Sequence, residues 1–197
     1  MRAAITPEPA LLGFMQNGPL HGYDLYKQVR EHVGLIWRVE MSQMYAILSA
    51  YAARGWIGTQ IKSQDTRPAR KMLELTPAGR RAFEEWMLRP AHGLREFRVD
   101  FFLRLYFARV AGAPVAKKLI TQQIASIKHE LEVQRTREDA AGDDFFKLAR
   151  DFRVHQLKTI LKWLEDNRDE LVRSKLTIPT LTEQKHHRAA PLRRAMK

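Results

Sequence analysis

The chain has 197 residues and carries 34 Lys and Arg side chains against 22 Asp and Glu, a formal net charge of +12 at pH 7. Hydrophobic residues make up 45% and charged residues 28%, which is close to the globular average and sufficient for one domain or two small ones. Because there is no cysteine, disulfides, thiolate zinc sites and cysteine nucleophiles are excluded. The positive charge indicates a polyanionic partner, either nucleic acid or an anionic membrane surface.

No part of the sequence resembles a targeting or membrane segment. The first residues lack the basic and then apolar pattern of a signal peptide. A membrane span needs about 18 uncharged apolar residues, and the most apolar stretch, 99–116, is interrupted by Asp100, Arg104 and Arg109. We therefore expect a soluble, cytoplasmic protein that has no membrane partner.

Proline and glycine residues around 90–93 separate two helical patterns. A change of composition near Thr177 marks the start of a third part. We expect a first domain over residues 1–90, a helical domain over 91–176, and a tail over 177–197. The tail is basic and has little apolar periodicity, so we expect it to be disordered. It would either add non-specific DNA affinity or simply be solvated.

The first part shows three helical patterns, two short strand patterns and a fourth helix. The first helix has Thr6-Pro7-Glu8 as its N-terminal signal, and the second and third are predicted at 22–33 and 41–54. A short extended piece is predicted at 35–37. Two strands, at 56–61 and 72–75, flank a polar and basic turn, and Thr76-Pro77 caps the fourth helix.

This order of elements describes a winged helix-turn-helix, in which the third helix enters the major groove and a hairpin forms the wing. The second part adds an aromatic helix over 96–110 and long helices over 115–141 and 144–171, whose apolar residues follow heptad-like spacing. Two long helices cannot bury such apolar stripes both against each other and against the first domain, so we expect a homodimer. The predicted fold class is mainly α, a winged helix-turn-helix with a β-hairpin wing and a coiled-coil-like dimerisation domain. The stripes are Ile120, Ile124, Ile127 and Leu131, and Leu157, Leu161, Leu164 and Leu171.

The candidate DNA contacts follow from this fold. Side chains at the start of the third helix reach base edges, and glutamine can bond two atoms of adenine; the alternative is that these are ordinary polar residues of a first turn. Arginine and lysine of the wing would bind phosphates, or else form a solvated charge run. His21 caps the second helix, or its N-terminus holds a phosphate. The candidates are Ser42, Gln43, Tyr45 and Ser49 of the third helix, Tyr23 of the second, and Arg67, Arg70 and Lys71 of the wing, with Arg38 as a weaker one.

A small-molecule pocket between the two domains is a further possibility that the sequence leaves open. Trp37, Phe101, Phe102 and Tyr106 would line it, and the alternative is that these aromatic residues form core. We expect no metal site, because His186 and His187 are the only paired histidines and belong to the expected tail. We expect no cofactor either.

Six segments of the first part form a recognisable set: Leu11 to Phe14, Gly18 to Leu25, Gln43 to Leu48, Arg54 to Ile57, Arg67 to Lys71 and Leu75 to Arg80. In this order and spacing they resemble the PadR family of bacterial transcriptional regulators, and the second part is similar to the C-terminal domain of virulence activators in the family's longer class. Two positions depart from the family pattern: Ser42, where glycine is frequent, and Thr66 to Ala69, which replace a glycine-led turn at the wing tip.

This resemblance implies a homodimer that binds double-stranded operator DNA, usually as a repressor, and that responds to a small molecule, with phenolic acids as the founding effectors. Three alternatives remain open: a transcriptional activator of the same fold, a winged-helix protein adaptor, and an enzyme acting on small aromatic compounds. The sequence gives the enzyme little support, since it lacks a phosphate-binding glycine loop, a nucleophile elbow and metal-ligand spacing. We therefore expect a protein that is not an enzyme.

Overall fold

A computed structural model describes residues 9–64, 67–136, 144–173 and 176 of the chain, with only the backbone described at 61–64, 67–70, 94, 95 and 136. The expected N-cap at Thr6 and the expected tail lie outside these residues. The helices are α1 (Ala10–Phe14), α2 (Gly22–Val33), α3 (Met41–Ala53), α4 (Pro77–Leu88), α5 (Gly93–Glu96), α6 (Phe102–Ala111), α7 (Ala113–Thr136), α8 (Asp144–Asp166) and α9 (Arg168–Val172), with a π-helical turn at Phe97–Phe101; the strands are β1 (Leu20–His21), β2 (Ile57–Gln64) and β3 (Arg67–Leu75).

The fold is mainly helical with one small antiparallel sheet, as the sequence predicts. The strand order is β1-β3-β2, and the wing hairpin pairs Ile57 with Leu75 at its base. The strand β1, which pairs Leu20 with Leu73, was not predicted because two residues are too short to show an alternating pattern. Helices α1 to α4 with this sheet form the winged helix-turn-helix, which we call the head.

Two predicted elements differ from the structure. The segment 35–37, expected to be extended, is a turn in which the amides of Ile36 and Trp37 both donate to the carbonyl of Val33. The expected single helix over 96–110 is divided into α5, the π-helical turn and α6. Apolar spacing shows helicity but does not distinguish a π-helical turn, which is set by packing.

The fourth helix begins as its sequence predicts. The Thr76 hydroxyl accepts a hydrogen bond from the Gly79 amide at 3.1 Å, and Pro77 occupies the first helical position. The same hydroxyl donates to the carbonyl of Gly55 at 2.7 Å. A single threonine therefore caps α4 and ties it to the turn that precedes β2.

Helix α6 packs into the core of the head, although it belongs to the second part of the chain. The ring of Phe107 contacts Phe14 of α1 and Phe83 of α4, with ring centroids 5.1 and 5.2 Å apart. A Cβ at Gly13 would lie 2.4 Å from the Phe107 ring, so only glycine permits this approach. The domain boundary near residue 90 stays a prediction, because this aromatic core spans it.

The segment that joins α4 to α6 is fixed by two buried polar side chains. Arg104 is fully buried, donates to the carbonyl of Arg89 at 2.8 Å, and lies 3.5 Å from the carboxylate of Asp100. Burial raises the pKa of Asp100, and the neighbouring guanidinium opposes that rise. Gln123 of α7 accepts from the amide of Ala91 at 2.7 Å and donates to its carbonyl at 3.1 Å. We call this arrangement the linker clamp.

The apolar stripes of α7 and α8 are buried within one chain. Ile120 and Ile127 of α7 and Leu157 and Leu164 of α8 belong to one buried cluster. The argument that these stripes require a second subunit is therefore wrong, since α7 and α8 cover each other. A different apolar surface is exposed at the N-terminal end of α8, with 61% to 68% of each side chain accessible to solvent; it consists of Phe145, Phe146, Leu148 and Phe152.

None of the helices in the described part of the chain is long and apolar enough to cross a lipid bilayer.

We predict that Arg104→Ala lowers the free energy of unfolding by about 3–5 kcal/mol, because it leaves the buried Asp100 carboxylate without its partner. Urea denaturation followed by circular dichroism measures this change. The matched control is Arg98→Ala, since Arg98 is exposed in the same segment and its loss should change stability by less than about 0.5 kcal/mol. Equal effects of the two variants would contradict the linker clamp.

Candidate nucleic-acid interface

Helix α3 has one buried face and one exposed face. Residues of the buried face pack against the head. Because an α-helix turns every 3.6 residues, the residues between them face outward. The buried residues are Met44, Ile47, Leu48 and Tyr51, and the exposed ones include Ser42, Gln43, Tyr45, Ala46 and Ser49. The four residues of α3 predicted to contact DNA are therefore all on the surface, with Ser42 and Gln43 in the first turn. The Ser49 hydroxyl donates to the carbonyl of Tyr45 at 3.0 Å.

The Tyr45 ring lies over the start of α2, and glycine at position 22 makes room for it. A Cβ at Gly22 would lie 2.9 Å from the Tyr45 hydroxyl oxygen. Tyr45 is 43% exposed, so its ring packs on the backbone while part of the side chain faces solvent. Packing and exposure to solvent thus involve different parts of one side chain.

The second helix begins with a histidine cap. Nδ1 of His21 accepts a hydrogen bond from the Tyr23 amide at 3.2 Å, which places the ring proton of neutral His21 on Nε2. This confirms the capping role that the sequence offered for His21. Tyr23 itself is 58% exposed.

A groove of about 280 Å³ lies between α3 and the sheet. We call it the helix–wing groove. Leu48, Ile57 and Leu73 give it an apolar base, while its polar groups come from four elements of the head, α3 and the three strands. The polar residues are His21, Tyr45, Ser49, Thr59 and Lys71. Three predicted DNA contacts, Tyr45, Ser49 and Lys71, therefore share one groove.

Thr59 was not predicted for this groove. It follows Ile57 by two residues on β2, so both side chains lie on the same face of the sheet. That alternation is the signal in the sequence that would have found it. For Arg67 and Arg70 the structure gives the backbone alone: they pair with Gln64 and Lys62 in the hairpin, and their side chains lie outside the described residues.

The four residues predicted for an effector pocket belong to two different clusters. Trp37 and Tyr106 are buried in the core of the head. Phe101 is buried in the cluster of the helical part, and Phe102 packs against that cluster. Each therefore packs as core residues do, which was the alternative interpretation, and the effector site stays a prediction.

Polar atoms are buried beside Tyr106, where α6 meets the head. The Tyr106 ring lies 6.2 Å from His32 and 6.1 Å from Phe14, centroid to centroid. Nε2 of His32 and the Tyr106 hydroxyl are buried and have no hydrogen-bond partner among the described residues. Burial raises the pKa of Tyr106 to about 12 and lowers the pKa of His32 below its usual 6.5.

Within residues 9–64, 67–136, 144–173 and 176, no group of three or more His, Asp or Glu side chains is arranged to hold a metal ion.

Residues 11–85 match the model of a family described as the transcriptional regulator PadR-like family. This segment contains α3, the wing and the helix–wing groove. The match covers less than half of the chain and includes none of α6 to α9. We call residues 11–85 the PadR-like segment.

A curated relative is the negative transcriptional regulator PadR of Bacillus subtilis (strain 168), which is 29% identical over 115 residues. That match covers 58% of this chain and 63% of the relative, so it spans less than two thirds of the relative's length. Both the family and this relative are transcriptional regulators and not enzymes, in agreement with the expectation from the sequence.

Solved structures of PadR proteins are also similar to this chain. Bacillus subtilis PadR in complex with operator DNA has a TM-score of 0.42 and 24% identity, covering 83% of this chain and 98% of that one. The same protein in complex with p-coumaric acid has a TM-score of 0.39 and 24% identity, covering 84% of this chain and 98% of that one. A PadR-like transcriptional regulator from Bacillus cereus has a TM-score of 0.40 and 22% identity, covering 86% of this chain and 98% of that one.

We predict that stability falls as the pH is lowered below 6.5, in part because of His32. The unfolded chain protonates this histidine near pH 6.5, whereas burial lowers its pKa in the folded chain, so the unfolded state gains the proton first. The contribution is present above pH 6.5 and is lost as the pH falls through the folded pKa.

Urea midpoints at pH 5, 6 and 7 measure this effect. His32→Gln should reduce the loss between pH 7 and pH 5, while His92→Gln, a change of an exposed histidine, serves as the control. An unchanged pH dependence in His32→Gln would contradict the prediction.

Proposed function

We propose that this protein is a dimeric, sequence-specific DNA-binding transcriptional regulator that acts as a repressor and releases DNA on binding a small aromatic molecule. The observation that carries the proposal is the exposed polar edge of α3 beside the helix–wing groove, within the PadR-like segment. DNA is the partner that best fits this surface together with a net charge of +12. Such a partner places the protein in the cytoplasm.

Direct base contact is proposed for the first turn of α3. Ser42 and Gln43 are exposed there, and a winged helix-turn-helix presents this turn to the major groove. Gln43 would bond an adenine through its side-chain amide. Tyr45, Ser49 and the exposed Tyr23 would add contacts along the same side of the head.

Phosphate contact is proposed for the wing. Lys71 is exposed and lines the helix–wing groove together with Tyr45 and Ser49 of α3. Arg67 and Arg70 stand on the same strand toward the hairpin tip and would extend the cationic surface. Contacts of this kind fix the position of the protein on DNA without reading its sequence.

Dimerisation is proposed through the uncovered apolar surface of α8. Phe145, Phe146, Leu148 and Phe152 are each more than 60% exposed, and a group of four large apolar side chains on one helix end is typical of an interface. A second copy of the chain would bury these residues. Two heads would then face two half-sites of an operator.

A repressor role and an aromatic effector are supported by likeness to relatives. The Bacillus subtilis relative is a negative regulator, and a neighbouring structure is of PadR with p-coumaric acid. In this chain the buried polar atoms of His32 and Tyr106, beside Phe14, would suit the polar groups of such a ligand. An activator of the same fold is the alternative, and transcription from the target promoter in vitro distinguishes the two.

We predict that Gln43→Ala weakens binding to the operator by about 1–3 kcal/mol and relaxes specificity at one base pair, because it removes a direct base contact. Lys71→Ala should instead weaken binding to all sequences and lower the slope of log K against log salt by about 1. Fluorescence anisotropy with the region upstream of the protein's own gene, and with a shuffled duplex, measures both. Failure of the wild-type protein to bind either duplex would contradict the proposed function.

We predict that the double variant Phe145→Asp, Phe152→Asp weakens dimerisation by roughly 100-fold or more, because it places charges in an apolar interface. Sedimentation equilibrium should show the 22.9 kDa monomer where the wild type shows twice that mass. The matched control is Leu35→Asp, which alters a fully exposed leucine of the head and should leave the dimer intact. A wild-type protein that sediments as a monomer would contradict the dimer.

A further inference from the structure

The outward side of α2 beyond Tyr23 and the turn after it form a surface that the proposed contacts do not use. A groove of about 490 Å³ lies at the turn between α2 and α3, and a second of about 320 Å³ runs along α2. Tyr26 and Arg30 line both grooves. We call the surface from Tyr26 to Glu40 the α2–turn surface.

Two arginines supply the charge of this surface. Arg30 and Arg38 are both exposed and line the same groove. In the described part of the chain neither forms an ion pair, whereas Lys27 lies 3.4 Å from Glu31 and is neutralised by it. Two cationic side chains are therefore available to an anionic partner.

The two guanidinium groups are carried by ordered structure. The Arg30 guanidinium lies over the Tyr26 ring, 5.8 Å from its centroid, which limits the directions it can take. Arg38 stands between Trp37 and Val39, which are both buried. The amide of Trp37 donates to the carbonyl of Val33 at 2.8 Å. Neither the helix nor the turn has to be ordered on binding, so little entropy is lost there.

The position of this surface relative to α3 indicates the partner. Glu40 is the residue immediately before α3 and lines the groove that holds Arg30 and Arg38, while the helix–wing groove begins at Tyr45 and Ser49. Arg30 and Arg38 therefore line a groove at the N-terminal end of α3, while Lys71 lines the groove beside its later turns.

We propose that Arg30 and Arg38 bind backbone phosphates beside the N-terminal end of α3. This inference rests on the proposed function and extends it, because it adds phosphate contacts at the start of α3 to those of the wing. Contacts at two places restrain the angle of α3 on DNA more than contacts from the wing alone.

Glu40 is the acidic residue that lines the groove of Arg30 and Arg38, and it lies at the end nearest to α3. Glu31, also on the α2–turn surface, pairs with Lys27. A carboxylate there repels phosphate but can accept a hydrogen bond from a cytosine amino group. Phosphate is therefore confined to the arginine end of the groove. An acidic protein segment is the other occupant that two arginines would attract, and continuity with the exposed edge of α3 favours DNA.

The test is the double variant Arg30→Gln, Arg38→Gln, compared with Lys117→Gln, Lys118→Gln, which removes two exposed charges from α7. Anisotropy titrations against the upstream duplex and a shuffled duplex, from 50 to 300 mM salt as an ordinary working range, give affinity and salt slope. Because each phosphate contact contributes about 0.9 to the slope, the arginine variant should lose about 2 for each bound head. It should bind both duplexes roughly tenfold or more weakly at low salt, and the α7 variant should bind like wild type.

The outcomes separate this inference from the proposed function. If wild type binds neither duplex, the proposed function fails and this inference fails with it. If wild type binds and the arginine variant matches it in affinity and slope, the inference alone is overturned. It is also overturned if the variant binds DNA normally but no longer regulates transcription, which would indicate an acidic protein partner. A circular dichroism spectrum like that of wild type confirms that the variant is folded.

Discussion

The burial of Arg104 is the interaction on which the arrangement of the molecule depends. A fully buried guanidinium is costly unless its charge is paired, and here a carboxylate, a carbonyl and the face of Trp86 surround it. Its Nη1 donates to the carbonyl, while Nε and Nη2 have no hydrogen-bond partner among the described residues. The partners belong to α4, to the linker and to the π-helical turn. With Gln123 holding Ala91 from α7, these contacts fix the course of the chain between the head and the long helices.

The same constraint gives the head and α6 a common core. Phe107 packs against both α1 and α4, and Gly13 allows it to approach. A ligand or a second subunit that moves α6 would therefore act on the helices that support α3. The buried polar atoms of His32 and Tyr106 lie at this contact, which makes it a place where a signal could enter the head. That coupling is a property of packing and needs no contact with DNA.

Much of the head could be predicted from the sequence, because its signals are local. The Thr76-Pro77 pair predicts the start of α4, and the glycines at 18 and 55 mark ends of turns that the structure keeps, each with a positive φ. The 3- and 4-residue spacing in α3 predicts a buried face, and the exposure of Ser42 and Gln43 follows from the same period. The groove that joins Tyr45, Ser49 and Lys71 was not predictable in shape, because it depends on how β3 lies against α3.

The sequence by itself determined the order of helices and strands, the wing, and the outward residues of α3, because hydrophobic period and capping act within a few residues. Only the tertiary structure decided which apolar and charged groups come into contact when they lie far apart in the sequence. It paired the stripes of α7 and α8 within one chain, placed Trp37 and Phe101 in different clusters, and buried Arg104 beside Asp100. The physical reason is that burial and charge pairing depend on distances between elements, which a linear pattern does not contain.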